Sequence, residues 1–399
     1  MKKYESNQMK LNVVIPSFFP AVIYGGPIFT SLHTAEELAK IGVDVRVSTT
    51  NANKGNKLDV VTNIWQVKES KLSIKYYNES IVDKFSFPLL FSLWQDITEA
   101  DVVHVQALFS TPVPIALIYS KLFKKRVLLT PHGTLGQWCL TGGSRFKMFW
   151  LKWLIKPFNS ITVWHATAEK EKLEILSVFP DVDVHVIANG IKVHEFENFN
   201  VLAPKDFVKK FAPSFPEKGD VQQIVISMGR LQKVKGFDTL IDSFNNILEK
   251  HKNAKLFIAG QDEGEEDNLR KKIRELGLKH TVFLVGQISG QDKIDFFANA
   301  DLFVLPSHNE NFGLVYAESL AAGTPIVASK NTPWSEVEEA DCGKWVNNSV
   351  EETTQAMIEM LGKDRELMRA NSKKLAQKYD WKNIAIQFKS LFEKMINDK

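Results

Sequence analysis

The chain has 399 residues, 50 basic and 47 acidic side chains, a formal net charge of +3 and 44% hydrophobic residues. That length suits two domains, and the small charge excess gives no support to a nucleic-acid-binding protein. The sequence has no run of about 18 apolar residues, so no transmembrane helix is predicted.

The chain is expected to be cytoplasmic. The basic start, MKKYESNQMK, leads into a short apolar run that fits a first strand better than a signal peptide. Cys139 and Cys342 lie far apart, which predicts neither a disulfide framework nor a zinc site.

Short β-branched runs alternate with longer helical patterns in both halves of the chain, which is typical of parallel sheets covered by helices. The predicted strands of the first half are Leu11–Ile15, Val43–Thr49, Val102–Val105, Val127–Thr130, Ile161–His165 and Val184–Ile187. Those of the second half are Ile224–Ser227, Lys255–Ala259, Thr281–Leu284, Leu302–Leu305 and Ile326–Ala328. Helical spacing is clear in Thr30–Ile41 and Phe237–Lys250.

A segment near residues 197–220 with three prolines and several charges interrupts this alternation and predicts a crossover between domains. We therefore expect an α/β protein with Rossmann-like domains at residues 1–200 and 201–380. A last helical segment, residues 381–399, could pack back on the first domain. Two such parallel sheets facing each other would form a cleft.

Ligands of open parallel sheets bind beyond the carboxyl ends of the strands, so the residues that follow strands are the candidates. Gly25 and Gly26 follow the first strand and precede a helix, where backbone can approach a phosphate. An ordinary turn is the alternative, and the absence of G-x-G-x-x-G gives no support to a dinucleotide site. His132 follows the strand Val127–Thr130 and could donate to a phosphate or a sugar hydroxyl, or be structural.

The segment Arg145–Lys156 mixes aromatic residues and lysines at helical spacing, inside a stretch without any Asp or Glu from 102 to 168. It fits an anionic membrane surface, or equally a core helix with lysines at its rim. Asp181-Val-Asp183 has the spacing of a metal-binding pair, but it opens a strand and is better explained as a solvated turn.

The loop Gly229-Arg230-Leu-Gln-Lys-Val-Lys235-Gly236 follows a strand of the second half. The Arg230 fork and the compact Lys235 charge could hold a diphosphate, although the loop lacks the Walker spacing and could simply be solvated. After Leu302–Leu305 come Glu310 in a loop, Gly313 near a helix start, and Glu318 inside an otherwise apolar helix. The Glu318 carboxylate could accept hydrogen bonds from ribose hydroxyls. Alternatively, Glu318 is a surface glutamate on the outer side of the helix.

These motifs, in this order, resemble the retaining glycosyltransferases of family 4, which have the GT-B fold. The resemblance covers nearly the whole chain: the Gly25-Gly26 loop, His132-Gly133, Asn189-Gly190-Ile191, Gly229-Arg230 with Lys235-Gly236, and Glu310-x7-Glu318 followed by Gly-Thr-Pro. The segments around His132 and around Trp334 look like bacterial members that build surface polysaccharides such as lipopolysaccharide. One departure is Lys192, where the family usually has an acid after Asn-Gly-Ile.

The resemblance implies a metal-independent enzyme without a cofactor, which uses a nucleoside diphosphate sugar and a saccharide or lipid-linked acceptor. The first domain would be the acceptor side, and the second would bind the donor. Arg230 and Lys235 would hold the diphosphate, Glu310 and the backbone of Asn311, Phe312, Gly313 and Leu314 would hold the sugar and phosphates, and Glu318 would bind the ribose. His132 and Glu310 would lie near the reacting centre.

Two other functions fit the same motifs less well. A GT-B sugar-nucleotide epimerase would need no acceptor, and the Glu310-x7-Glu318 pattern argues against it. A non-enzymatic relative that only binds saccharide or membrane would not need the complete set of His132, Arg230, Lys235, Glu310 and Glu318. The sequence identifies neither the sugar nor the base, with UDP slightly favoured over GDP.

Overall fold

A computed structural model of the chain describes residues 8–136, 145–213 and 221–398. Its contacts divide the chain into two compact units, Met1–Gly190 with Trp381–Lys399, and Ile191–Asp380. The boundary lies before residue 200 because Ile191 already pairs with Asp380, and the Phe196 ring packs against Phe297 in the second unit.

The first unit is an eight-stranded sheet with helices. Its strands are β1 Lys10–Ser17, β2 Asp44–Thr50, β5 Trp65–Glu69, β6 Leu72–Tyr77, β7 Val102–Gln106, β8 Arg126–Thr130, β9 Thr162–Ala166 and β10 Val184–Val186, with a small separate hairpin of β3 Ala52–Asn53 and β4 Asn56–Lys57. Its helices are Gly26–Lys40, Phe87–Glu99, Pro112–Leu122, Arg145–Trp150, Glu169–Val178 and Trp381–Asn397. The sheet order is β10-β9-β8-β7-β1-β2-β6-β5, parallel except for the edge strand β5.

The second unit contains a six-stranded parallel sheet of β11 Gln223–Met228, β12 Ala254–Ala259, β13 Val282–Gly286, β14 Leu302–Leu305, β15 Ile326–Ser329 and β16 Gly343–Val346. Its helices are Pro204–Phe211, Phe237–Ile247, Glu266–Glu275, Gly290–Ala298, Leu314–Ala321, Glu336–Glu339, Val350–Leu361 and Arg365–Ala376. In the order β13-β12-β11-β14-β15-β16, successive strands are added on one side of β11 and then on the other, beginning with β14. The strand order therefore reverses between β11 and β14, as in the Rossmann fold, while all strands stay parallel.

The predicted α/β class with two parallel-sheet domains is confirmed. Each predicted strand is present within about two residues of its expected bounds, but β3 to β6 and β16 were not predicted. Strand β6 was missed although Leu72, Ile74 and Tyr76 alternate with Ser73 and Lys75. The structure buries Lys75 by placing its Nζ 2.9 Å from Asp96 Oδ1, a partner that the local sequence does not reveal.

The C-terminal helix Trp381–Asn397 belongs to the first unit and packs against the helix Gly26–Lys40. Its buried side chains recur at helical spacing: Trp381, Ile384, Ala385, Phe388, Leu391, Phe392 and Met395. This apolar face needs a partner, and the core around β1 and β2 supplies it. Cys342 is free and buried, and burial raises the pKa of its thiol to about 12. Cys139 lies outside the described residues.

Candidate functional site

The candidate residues of the second unit lie at the point where its strand order reverses. Strands β11 and β14 are neighbours, and the loops that follow them are Gly229–Gly236 and Pro306–Gly313. The two loops contact each other through backbone, because His308 N donates to Val234 O at 2.8 Å. Gly236 makes this approach possible: with φ +69°, an added Cβ would lie 2.2 Å from Pro306 O.

Lys235 and Glu310 meet across these two loops. Lys235 Nζ lies 2.5 Å from Glu310 Oε2, and both side chains are largely buried. Arg230 is more exposed and donates to both carboxylate oxygens of Glu263 at 3.1 and 3.2 Å. The structure therefore brings Lys235 to Glu310 and Arg230 to Glu263, so each cation is paired with a carboxylate from a different loop.

The helix Leu314–Ala321 begins directly after Gly313, which has φ +75° and offers no side-chain cap. Tyr316 N in this first turn donates to Gly313 O at 3.1 Å, and the helix dipole favours an anion at this position. An added Cβ at Gly313 would lie 2.8 Å from Glu310 Cγ, so the turn brings this helix start against the Glu310 side chain. Phe312 anchors the turn, since its ring is buried and its carbonyl accepts from Trp334 Nε1 at 2.8 Å. Asn311 and Leu314, on either side, are half-buried.

Glu318 is not on the outer side of its helix. Its Oε1 accepts from Lys293 Nζ at 2.6 Å, and its Oε2 is buried with no hydrogen-bond partner among the described residues. A buried carboxylate oxygen without a partner is costly, so this atom has capacity for a donor such as a hydroxyl.

In the first unit, Gly25 and Gly26 are exposed and precede or begin the helix Gly26–Lys40, with Pro27 in its first turn. Their position at the helix start agrees with either of the two sequence-based interpretations, a phosphate contact or a turn. The neighbouring Tyr24 hydroxyl donates to Asp83 Oδ1 at 2.8 Å and accepts from Lys54 N at 2.6 Å, which ties the loop to the chain beyond it.

His132 follows β8 with a left-handed backbone, φ +55°. Its Nε2 lies 3.0 Å from Gln106 Oε1, at the end of the adjacent strand β7. Desolvation by its surroundings lowers the pKa of His132 to about 4, while the Glu171 carboxylate acts in the opposite direction. A carboxamide oxygen can only accept, so Nε2 carries the single proton of the neutral ring. Donation from Nε2 to a substrate would therefore have to replace the bond to Gln106, and the expectation that His132 contacts the donor stays a prediction.

Glu171 fixes the loop that contains His132. Its Oε1 accepts from Gly133 N at 2.5 Å, and its Oε2 accepts from Thr167 N and Thr167 Oγ1 at 2.7 and 2.8 Å. Glu171 is fully buried, so these charge-assisted bonds hold the backbone next to His132 in place.

The segment Arg145–Lys156 has two different faces, so it combines features of the two predicted alternatives. It is an α-helix over Arg145–Trp150, continued by a π-helix over Leu151–Ile155. Its inward face is buried: Trp150, Leu151 and Ile155. Its outward face is exposed: Arg145, Phe146, Met148, Phe149, Lys152, Trp153 and Lys156. Residues Gln137 and Trp138, part of the motif after His132, lie outside the described residues.

The remaining motifs have local roles. Asp183 Oδ2 lies 3.2 Å from His185 Nε2, and no cluster of three His, Cys, Asp or Glu suited to a metal ion occurs within residues 8–136, 145–213 and 221–398. At Gly190, an added Cβ would lie 2.3 Å from the Trp381 ring. Lys192, the departure from the family pattern, pairs with Glu195 at 3.4 Å.

The sequence did not predict Lys293, Glu263 or Gln106 as parts of the site. Lys293 and Glu263 are ordinary charged residues in the sequence, and only the fold places them against Glu318 and Arg230. Gln106 did carry a signal, because it is a polar residue at the carboxyl end of a fully buried strand.

Two sequence families match most of the chain. The family described as "Glycosyltransferase Family 4" matches residues 24–195, and "Glycosyl transferases group 1" matches residues 209–378. An uncharacterised glycosyltransferase of Methanocaldococcus jannaschii is 34% identical over 222 residues, 54% of this chain and 55% of that protein. The chain thus spans about half the length of this relative.

Two further proteins are similar over more of the chain. The alpha-monoglucosyldiacylglycerol synthase of Streptococcus pneumoniae is 22% identical over 81% of this chain and 71% of its own length. The crystal structure of Anabaena HepE in complex with UDP superimposes with a TM-score of 0.71 at 19% identity, covering 97% of this chain and 100% of that one. This likeness shows a shared fold. No helix among the described residues has the length and apolarity needed to cross a membrane.

Proposed function

We propose a function for this chain, which belongs to glycosyltransferase family 4 and has the GT-B fold: it transfers a sugar from a nucleoside diphosphate sugar to a saccharide or lipid-linked acceptor, with retention at the anomeric carbon. The observation that carries this proposal is the meeting of Lys235 and Glu310 at the strand-order reversal, directly before the start of the helix at Leu314. This arrangement offers a cation, helix-start N–H groups and a carboxylate to one ligand.

The donor diphosphate would occupy the region of Lys235, Arg230 and the Leu314 helix start. A diphosphate leaves with increasing negative charge as the glycosidic bond breaks, and fixed cations and N–H groups stabilise that charge. This supports a reaction without a divalent ion. Glu318 Oε2, buried and without a partner among the described residues, is the candidate acceptor for a ribose hydroxyl.

Transfer with retention requires that the acceptor attack from the side that the diphosphate leaves. In this step the acceptor oxygen bonds to the anomeric carbon, the bond from that carbon to the phosphate oxygen breaks, and the acceptor proton passes to the departing phosphate oxygen. The residues that the family resemblance brings to this centre include no second carboxylate suited as a covalent nucleophile. The neutral His132 ring would contribute a hydrogen bond near the sugar.

UDP is the proposed nucleotide, since HepE is similar in fold and its structure is a UDP complex. A lipid-linked or saccharide acceptor of the bacterial cell surface is supported by the similarity to the glucosyldiacylglycerol synthase, whose name identifies a glycolipid product.

The outward face of Arg145–Lys156 is proposed to bind an anionic lipid surface, which would bring the enzyme to a lipid-linked acceptor. Phe146, Phe149 and Trp153 are each more than half exposed, and Lys152 and Lys156 lie on the same exposed side. Exposed aromatic rings beside lysines suit the interface between headgroups and acyl chains. The protein would then be peripheral at the cytoplasmic face of a membrane.

The nucleotide and the reaction can be tested in two steps. A ligand that binds only the folded protein raises its melting temperature, so UDP should stabilise the chain more than GDP does. Incubation with UDP-glucose or UDP-galactose, with and without a membrane lipid extract, should then give a glycosylated product only when the extract is present. Conversion of the donor into its epimer without an extract would identify an epimerase instead. Absence of stabilisation by any nucleoside diphosphate would refute the proposed donor site.

A further inference from the structure

A series of hydrogen-bonded, buried polar groups lies along one side of the first sheet, next to His132. His132 Nε2 lies 3.0 Å from Gln106 Oε1, and Gln106 Nε2 lies 3.5 Å from His104 Nδ1. His104 Nε2 lies 2.8 Å from Thr130 Oγ1, which lies 2.9 Å from His165 Nδ1. The series ends where His165 Nε2 meets Ile187 O at 2.8 Å.

Strand geometry explains why these groups are in line. Strands β7, β8 and β9 are adjacent and parallel, and their register pairs Gln106 with Thr130 and Leu129 with Trp164. Alternate residues of a strand share a face, so His104, Thr130 and His165 lie on one side of the sheet. Phe388 covers this side, with its ring centroid 5.8 Å from that of His104 and 4.9 Å from that of His165.

The carbonyl group of Ile187 sets the direction of every hydrogen bond in the series from His165 to His132. Ile187 O can only accept, so His165 is protonated on Nε2 and its Nδ1 accepts from the Thr130 hydroxyl. Thr130 has a single proton, so its oxygen must accept from His104 Nε2–H. His104 Nδ1 is then an acceptor, which turns the NH2 group of Gln106 toward it and the Gln106 oxygen toward His132. Ser31 also contacts this oxygen, and its single hydroxyl proton is shared between Gln106 Oε1 and Pro27 O.

The opposite direction would place a second proton on His165. Burial lowers the pKa of His104 well below its usual value and lowers that of His165, so the neutral arrangement is the one that the interior favours. Within the described residues, Nδ1 of His132 makes no hydrogen bond, whereas Nε2 is engaged.

We propose that Thr130, between His104 and His165, is a positioning residue that fixes His132 as its neutral Nε2–H tautomer and leaves Nδ1 as the acceptor for a substrate hydroxyl. The assignment of the tautomer stands on the hydrogen-bond geometry, and the burial that keeps His104 and His165 neutral supports it. The part of the proposal in which Nδ1 accepts from a substrate hydroxyl rests on the proposed function. In this arrangement His132 binds a substrate hydroxyl by accepting through Nδ1.

The tautomer can be measured directly by NMR on protein with 15N-labelled histidine rings, because long-range correlations distinguish protonated from unprotonated ring nitrogens. The His132 signals are identified by their loss in His132→Gln. We expect a single Nε2–H form at pH 7 in the wild type, and unchanged signals of the other histidines in His132→Gln would show that this variant keeps the fold. A Nδ1–H form or a charged ring would overturn the proposal.

Variants at Thr130 test the positioning role. Thr130→Val removes the hydroxyl and lets His104 and the Gln106 amide reverse, so His132 should populate its Nδ1–H form. Thr130→Ser should keep the wild-type spectrum. Thr162→Val, which removes another buried hydroxyl from the same sheet, is the matched control and should also keep it. An unchanged His132 spectrum in a folded Thr130→Val protein would refute the positioning role.

Turnover and binding separate this inference from the proposed function. Thr130→Val should lower turnover of UDP-glucose by roughly ten-fold, the effect of one hydrogen bond, and leave the Kd for UDP unchanged. Thr130→Ser should retain turnover. If wild-type protein shows the expected tautomer but does not bind UDP, the proposed function fails and the assigned tautomer stands. If UDP binds and turnover is equal in Thr130→Val and wild type, the catalytic part of this inference is wrong.

Discussion

Lys235 Nζ lies 2.5 Å from Glu310 Oε2, although the two residues are 75 positions apart. The contact exists because the loops after β11 and β14 leave the sheet side by side. A carboxylate this close competes with a diphosphate for the same cation. The pair therefore keeps the Lys235 charge in place, at some cost in affinity for the free nucleotide.

The first prediction concerns this pair. Lys235→Ala should weaken UDP binding at least ten-fold, since a charge-assisted bond contributes about 1.5–3 kcal/mol. Glu310→Gln should bind UDP as well as wild type or a few-fold more tightly, because the competing carboxylate is gone, and should lower turnover. Calorimetry measures the affinity of Lys235→Ala and Glu310→Gln for UDP. Lys233→Ala, an exposed cation of the same loop, is the control. Loss of UDP binding in Glu310→Gln would contradict the competition.

The second prediction separates ribose from phosphate. Glu318→Gln should weaken UDP binding roughly ten-fold, because the amide is a poorer acceptor than a carboxylate for a ribose hydroxyl. Pyrophosphate binding should be unchanged or stronger, since Lys293 is released from its ion pair. Competition titrations of UDP and pyrophosphate decide the matter, with the exposed Glu339→Gln as control. Equal losses for the two ligands would place Glu318 at the phosphates.

The third prediction concerns acid stability. The pKa of His132 falls from 6.5 in the unfolded chain to about 4 in the folded protein. Between these values the unfolded chain binds a proton that the folded chain does not, so the free energy of unfolding decreases as pH falls from 6.5 to about 4. At about 1.4 kcal/mol per unit, this one ring accounts for roughly 3 kcal/mol. Urea unfolding followed at several pH values should show a smaller decrease in His132→Gln than in wild type. An identical pH dependence in the two proteins would show that His132 does not contribute.

The fourth prediction concerns lipid binding. Purified protein should float with vesicles that contain anionic lipid and not with neutral ones, and salt should weaken the binding. Replacing Lys152 and Lys156 by Gln should reduce flotation, and so should Phe149→Ser with Trp153→Ser, because charge and apolar insertion both contribute. The control replaces two exposed lysines of the second unit, Lys252 and Lys271, by Gln. Flotation that does not depend on lipid charge would rule out this surface as an anionic-lipid site.

The fifth prediction concerns metal ions. Turnover of the donor should persist in excess EDTA, because Arg230, Lys235 and the helix start are proposed to stabilise the leaving diphosphate. The assay compares initial rates before and after chelation, and after addition of Mg²⁺ or Mn²⁺. Full loss of activity that a divalent ion restores would require a metal in the mechanism.

The sequence was sufficient to predict the strands and helices that have a clear pattern of apolar residues. Strand β14 is a continuous apolar run that is fully buried, and the apolar run of β11 is interrupted only by Ser227, so composition identifies both strands. The candidate residues of the second unit could be located because each follows such a strand, and parallel strands bring their carboxyl ends to one edge. In strand β6 the alternation of apolar and polar residues is visible, but the burial of Lys75 is not, since it depends on Asp96 from a different element.

What the sequence by itself determined is therefore the α/β class, the order of the strands along the chain and the candidates that follow them. The tertiary structure decided which candidates contact each other. It paired Lys235 with Glu310 and Arg230 with Glu263, turned Glu318 toward Lys293, and used the N–H of His132 for Gln106. The physical reason is that periodicity reports burial, which is a local property, whereas the state of a charge or a proton depends on partners that lie far away in the sequence.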